Sequence, residues 1–183
     1  MDQRTLALAA LLSAAAACFG QIPQVKTWQN AADGVRTQIS ITAKGRATPT
    51  PVLLFECTQP PAKKPLSIGI YLITGPLEPH PKVGLLNSVS EWLLRVDFAG
   101  GKPAYLSWPP SRQPGTYLYE GQGANGMATE YKSPSRFLDD LLTANAFSVE
   151  YQRKGDRRKQ VATFDTSKLK AAFEGRAECG SRF

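Results

Sequence analysis

The sequence predicts a mainly β single domain with two short helices (an α+β class), built as an antiparallel, sandwich-like fold closed by one disulfide bond. Short apolar runs and period-two alternation of apolar and polar residues recur along the chain, as in β-strands. Glycine and proline number 15 and 14 among 183 residues, which indicates many turns. Apolar residues make up 42% of the chain, which is enough to bury one core, and the length is that of one domain.

Seven strands are predicted from apolar runs or alternation bounded by turn residues: 37–43, 52–57, 66–72, 91–98, 104–108, 147–151 and 160–164. The pair Gly100-Gly101 between two of them indicates a hairpin, and a second hairpin spans the charged stretch 153–159. The glycine-rich stretch 109–132 is expected to form a long surface loop with one weak strand.

Two short helices are predicted in the C-terminal part of the chain. The first begins with Ser133 as N-cap and Pro134 at the first helical position. Spacing of i, i+4 places its apolar residues on one face: Phe137, Leu138, Leu141 and Leu142. The second helix is expected to be capped by Asp165 or Thr166, to end at Gly175, and to have Leu169 and Phe173 on its inner face.

The N-terminus has the pattern of an export signal. One arginine precedes an apolar run of about a dozen residues followed by small residues, so residues 1–20 are predicted to be a cleaved signal peptide and 21–183 the mature single domain. A membrane anchor is the alternative, but a span needs about 20 apolar residues. Ala15-Ala16-Ala17-Cys18 also loosely matches a lipoprotein cleavage site, which would place a lipid on Cys18. The expected location is periplasmic or secreted, with no transmembrane span in the mature chain.

Two cysteines, Cys57 and Cys179, follow the signal segment. An even cysteine count in an exported chain favours a disulfide bond, and two cysteines permit one connectivity. A redox or metal site is the alternative, but the chain has no CxxC spacing and no His or Asp near either cysteine. A structural disulfide between Cys57 and Cys179 is therefore predicted.

The formal net charge is +7, and a cluster of cations lies in the second predicted hairpin. These residues are a candidate surface for anionic lipid headgroups, lipopolysaccharide or a partner protein: Arg153, Lys154, Arg157, Arg158 and Lys159. A solvated hairpin tip is the alternative. Nucleic acid is not predicted as a partner, because no aromatic residues alternate with these charges.

The aromatic residues suggest a core pair and an exposed group. Trp92 and Trp108 lie in predicted hairpin strands, where aromatic side chains usually pack across strands in a core, although a carbohydrate platform is the alternative. Tyr117, Tyr119 and Tyr131 lie in the glycine-rich stretch and are expected to be exposed. They are therefore candidates for a binding surface.

No catalytic residue, metal site or cofactor is predicted. The single histidine, His80, lies between two prolines in an extended segment, which is a poor place for a base held against a nucleophile. One histidine without clustered carboxylates cannot complete a zinc shell. A carboxylate-dependent hydrolase would need a pair such as Glu91 and Asp97, which the predicted hairpin could bring together.

The order of features resembles the VasI/TagO-type periplasmic proteins associated with type VI secretion. The matching segments, scattered over nearly all of the mature chain, are Leu54-Phe55-Glu56-Cys57, Leu94-Arg95-Val96-Asp97 with Trp108 and Ser111, 137–142, Phe147-Ser148-Val149, Phe164-Asp165, Leu169 and Cys179. Lys168-Leu169 departs from the Gly-Leu that the family tends to place there. The resemblance implies an envelope accessory protein with one disulfide and no known catalysis. A generic periplasmic sandwich that shares only this architecture is the alternative.

The sequence thus predicts an exported, non-enzymatic accessory or binding domain. Its expected partner is an envelope or secretion-system protein, with contact to an anionic membrane surface as a further expectation. Two other classes stay open: an inhibitor or immunity-type protein that docks its glycine-rich loop on an enzyme, and the carboxylate-dependent envelope hydrolase.

Overall fold

The computed structural model describes residues 21–30, 34–45, 47–59, 67–79, 92–99, 101, 103–119 and 133–179. These residues form two antiparallel sheets and two short helices around one shared hydrophobic core. The predicted class, a mainly β fold with two short helices and one disulfide, is confirmed. The predicted signal segment 1–20, with Cys18, lies outside the described residues, as do His80, Glu91 and Tyr131.

The first sheet has five strands in the order β1-β2-β3-β4-β7. Its strands are β1 (Gln24–Asn30), β2 (Gly34–Thr42), β3 (Val52–Gln59), β4 (Ser67–Ile73) and β7 (Thr116–Leu118). Alternation in β2 sends Thr37, Ile39 and Ile41 into the core and leaves the residues between them at the surface. This period-two pattern predicted β2 and β4, whereas β3 was predicted from a short apolar run.

The second sheet has four strands in the order β6-β5-β8-β9. They are β5 (Leu93–Phe98), β6 (Ala104–Ser107), β8 (Ala146–Tyr151) and β9 (Gln160–Asp165). Both predicted hairpins, β5–β6 and β8–β9, are confirmed as antiparallel pairs. A backbone hydrogen bond joins the segment after β2 to β9 of the second sheet. The Lys44 N–H donates to the Thr163 carbonyl at 2.7 Å.

Helix α1 (Pro134–Thr143) begins as predicted, since the Ser133 hydroxyl accepts the backbone N–H of Arg136 at 3.3 Å. Helix α2 (Leu169–Phe173) has Leu169 and Phe173 buried, also as predicted. Its predicted cap is wrong. Lys168 occupies the N-cap position and makes no side-chain cap bond, because Asp165 accepts from Ser167 and Thr166 donates to the Ala144 carbonyl.

An aromatic cluster fills the core between α1 and the sheets. Phe137 of α1 stacks on Tyr119 with ring centroids 4.4 Å apart and meets Trp108 edge-on at 5.9 Å. Phe147 of β8 closes the cluster, with its ring 5.5 Å from that of Phe137. Trp108 is fully buried, which confirms its predicted place in the core.

The predicted disulfide between Cys57 and Cys179 is present and joins β3 to the 3-10 turn Ala177–Cys179. A buried polar pair lies beside it, in which the Thr37 hydroxyl donates to the Glu178 carboxylate. Thr37 also lies 2.8 Å from the Thr27 hydroxyl. The C-terminal turn is thus fixed to the five-stranded sheet by a covalent bond and by a hydrogen bond.

Candidate binding surface on the four-stranded sheet

The outer face of the four-stranded sheet carries a row of polar and aromatic side chains. Arg95 of β5 is the register partner of Tyr105 on one side and of Glu150 on the other, and Glu150 is the partner of Val161. Strand alternation turns these four side chains away from the core. Tyr105 is 39% exposed and Val161 62% exposed, so the row ends in two accessible apolar surfaces.

A groove of about 280 Å³ runs beside this row. We call it the Tyr105 groove; it is lined by Glu78, Pro79, Trp92, Leu93, Leu94, Arg95, Tyr105, Glu150, Tyr151, Gln152 and Lys159. Trp92 is half-buried at its edge and packs on Tyr117 with ring centroids 5.4 Å apart. Aromatic and charged groups therefore meet in one concavity, the combination found in sites that bind ligands.

Glu150 lines the Tyr105 groove and forms ion pairs with both Lys159 and Arg95. Its carboxylate accepts a hydrogen bond from Lys159 Nζ at 2.8 Å and lies 3.5 Å from Arg95 Nη1. The hydrogen bond from Lys159 is the main cause that lowers the pKa of Glu150; partial burial opposes it, and Arg95 adds to it. Glu150 is therefore ionised at neutral pH, which disfavours a role as a general acid.

The basic hairpin tip adjoins this groove. Lys154, Arg157 and Arg158 are exposed, and Gly155 between them has a φ of 88°, which lets the chain turn. Lys159 belongs to the groove rather than to the tip, because it is paired with Glu150. The groove and the tip together carry a net positive charge, because five cations there outnumber three carboxylates: Arg95, Lys154, Arg157, Arg158 and Lys159 against Glu78, Glu150 and Asp156.

Arg153, predicted as part of the binding surface, differs from the exposed tip cations because its guanidinium is hydrogen-bonded within the fold. Its Nε donates to the Thr74 carbonyl at 2.9 Å, and its Nη atoms donate to the carbonyls of Thr48 and Pro49. The guanidinium also lies 5.6 Å from the centre of the Tyr151 ring. Arg153 thus connects the β8–β9 hairpin to two loops of the other sheet.

Tyr117 and Tyr119 are buried, which contradicts the expected exposure. They are 4% and 2% exposed, because β7 joins the five-stranded sheet instead of forming part of a surface loop. The Tyr117 oxygen accepts the Leu77 N–H at 2.7 Å, and burial raises the pKa of its hydroxyl. The proposed docking loop therefore loses two of its three predicted contact residues, and the third, Tyr131, lies outside the described residues.

Asp97 lies on the same outer face, opposite Ser148 in the register. It lines a small hollow of about 70 Å³ together with Arg95 and Glu150. Its predicted partner in a hydrolase, Glu91, is outside the described residues. Within the described ranges, no group of three or more His, Cys, Asp or Glu side chains is placed to hold a metal ion.

Sequence reasoning did not single out Arg95, Tyr105 or Glu150 as site residues. Each alternates with buried residues in its strand, so each was a candidate for the outer face. The predicted β5–β6 hairpin places Arg95 beside Tyr105, but the pairing of β5 with β8 that adds Glu150 was not available from local patterns.

Comparison with models of known protein families, with curated proteins and with solved structures finds no match to this chain. Neither helix in the described part of the chain has the length and apolar character that a membrane span requires.

Proposed function

We propose that this chain is an exported, non-enzymatic binding domain that recognises an acidic segment of an envelope protein through the Tyr105 groove and the basic hairpin tip. The observation that carries the proposal is the convergence of Tyr105, Arg95 and Lys159 in one groove beside three exposed cations. The groove supplies apolar contact area, and the cations attract and orient a negatively charged partner.

The disulfide supports action outside the cytosol, because such bonds persist in oxidising compartments. A component of a type VI secretion apparatus is the partner we favour, on the resemblance of Leu54-Phe55-Glu56-Cys57 and Leu94-Arg95-Val96-Asp97 to the VasI/TagO-type proteins. The ionised state of Glu150 favours binding over acid catalysis at this groove.

Charge reversal at the tip tests the proposal. The variant K154E/R157E/R158E is expected to lose co-purification of the partner from the native cell envelope, whereas the wild-type complex weakens as salt rises. The matched control, K168E/K170E, reverses two exposed lysines at the start of α2 and is expected to retain the partner. Equal capture by wild type and tip variant at low salt would contradict the proposal.

A further inference from the structure

A second concavity lies on the outer face of the other sheet and has different chemistry. Its volume is about 440 Å³, and we call it the Tyr71 cavity; its lining includes Gln38, Leu54, Glu56, Tyr71, Arg112 and Leu118. This volume lies in the range of sites that hold small ligands. It shares no lining residue with the Tyr105 groove.

The ring of Tyr71 lies back along β4 over Gly69. A Cβ atom built on Gly69 would lie 2.7 Å from Tyr71 Cε2 and 2.8 Å from its hydroxyl oxygen, so the ring occupies the space that a side chain would take. Glycine at this position therefore lets an aromatic ring cover the sheet surface. Leu54 and Leu118 are the register partners of Tyr71 on either side, and the three side chains form one apolar row across β3, β4 and β7.

Polar groups border this apolar row. Gln38 Nε2 lies 3.4 Å from Glu56 Oε2, and Glu56 also pairs with Arg36 at 3.5 Å. Burial, followed by the charge of Glu56, raises the pKa of the Tyr71 hydroxyl, which therefore keeps its proton and can both donate and accept. The charged residues that line the cavity are one carboxylate, Glu56, and one guanidinium, Arg112, so the lining is neutral.

The loop on the far side of the Tyr71 cavity is fixed by hydrogen bonds. The Ser111 N–H donates to the Thr116 carbonyl at 2.8 Å, and the Gln113 N–H donates to the Ser111 hydroxyl at 3.1 Å. The Leu118 N–H donates to the Pro109 carbonyl at 2.9 Å. Segment 109–111 therefore already pairs with β7, which disfavours the addition of an extended peptide as a new strand at this edge.

We propose that the Tyr71 cavity binds a neutral saccharide. An apolar row centred on an aromatic ring matches the C–H face of a sugar ring, while amide, carboxylate and guanidinium groups match its hydroxyls. The neutral lining suits an uncharged ligand, in contrast to the positive surroundings of the Tyr105 groove. The site would let the domain hold an envelope glycan on one sheet and its protein partner on the other.

Calorimetry with two neutral probes, the tetrasaccharide of N-acetylglucosamine and maltotetraose, tests this proposal on the disulfide-bonded protein. At least one probe is expected to bind the wild type, and Tyr71→Ala is expected to weaken that binding about tenfold or more. Gly69→Ala keeps the Tyr71 side chain but displaces its ring, and is expected to weaken binding similarly.

Arg112→Ala changes an exposed loop residue, so it leaves folding intact, and is expected to weaken binding about fivefold through lost hydrogen bonds. Tyr105→Ala, on the other sheet, is the matched aromatic control and is expected to bind the probe like wild type. The proposal would be overturned if neither probe bound the wild type. It would also be overturned if Tyr71→Ala and Arg112→Ala both bound the probe with wild-type affinity. Neither result would affect the protein-binding function proposed for the Tyr105 groove.

Discussion

Removal of the Cys57–Cys179 bond is expected to cost a large share of the stability of this domain. The two cysteines are 122 residues apart in the chain. In the chain-entropy relation a loop of that length corresponds to about 16 cal/mol/K, or about 5 kcal/mol at 25 °C. Domains typically have free energies of unfolding of about 5–15 kcal/mol. The variant Cys57→Ala/Cys179→Ala should therefore lose a third or more of the total.

Urea unfolding followed by tryptophan fluorescence measures this loss, because Trp108 is fully buried in the folded state. Wild-type protein unfolded in the presence of a reductant is the matched control and should reproduce the curve of the double variant. A difference in the free energy of unfolding of less than about 1 kcal/mol between the oxidised wild type and the double variant would contradict this prediction. It would mean that the disulfide does not restrict the unfolded chain as the long loop requires.

Three further changes test other parts of the fold. Arg153→Met removes hydrogen bonds to three carbonyls and should lower the free energy of unfolding by about 2 kcal/mol. The control Lys154→Met, at the exposed tip, should change the free energy of unfolding by less than about 0.5 kcal/mol. Urea unfolding midpoints of the two variants and the wild type measure these differences. Hydrogen bonds from Ser167 are the main cause that lowers the pKa of Asp165 below 3.8. The ionised Asp165 carboxylate therefore stabilises the folded state fully at neutral pH, and this stabilisation is lost as the pH falls below that value. Asp165→Asn should therefore have a lower free energy of unfolding than the wild type at pH 7, and should lose less of it on acidification. Equal losses on acidification in the variant and the wild type would contradict this. Phe137→Ala should lower the free energy of unfolding by about 3–5 kcal/mol, because it leaves a cavity at the centre of the aromatic cluster. Thermal or urea unfolding measures this loss.

Local patterns in the sequence were sufficient for most interior elements. The alternation of Ile39 and Ile41 with polar residues predicted β2, and Ser133-Pro134 predicted the start of α1. The disulfide followed from the count of cysteines beyond the predicted signal segment. In each case the signal lies in neighbouring residues or in a constraint that permits one solution.

Strand β1, which local patterns missed, and strand β7, which they predicted only as one weak strand within 109–132, both depend on distant partners. Strand β1 is an edge strand whose residues are mostly exposed, so it lacks the alternation that identifies a half-buried strand. Strand β7 has three residues, and Tyr117 and Tyr119 become buried because β4 and α1 cover them. A glycine-rich neighbourhood favours a loop, but pairing with β4 outweighs that preference.

The candidate site depends even more on the assembled sheet. Arg95 and Tyr105 belong to the predicted β5–β6 hairpin, but Glu150 is far from both in the chain and meets Arg95 only through the pairing of β5 with β8. Arg153 looked like a further tip cation in the sequence, yet the carbonyls of loops 48–49 and 74 surround it. A run of charges in a sequence therefore identifies a hairpin tip but does not tell which of its cations are committed to the fold.

Photo-crosslinking tests most directly whether the Tyr105 groove contacts a protein partner, as we propose. A photo-reactive residue placed at Tyr105, and as a control at the exposed Lys170 of α2, would map that contact in the native cell envelope. We expect one abundant adduct from position 105, reduced by K154E/R157E/R158E, and none of the same mass from position 170. Adducts of equal yield at both positions, or no adduct at position 105, would contradict it.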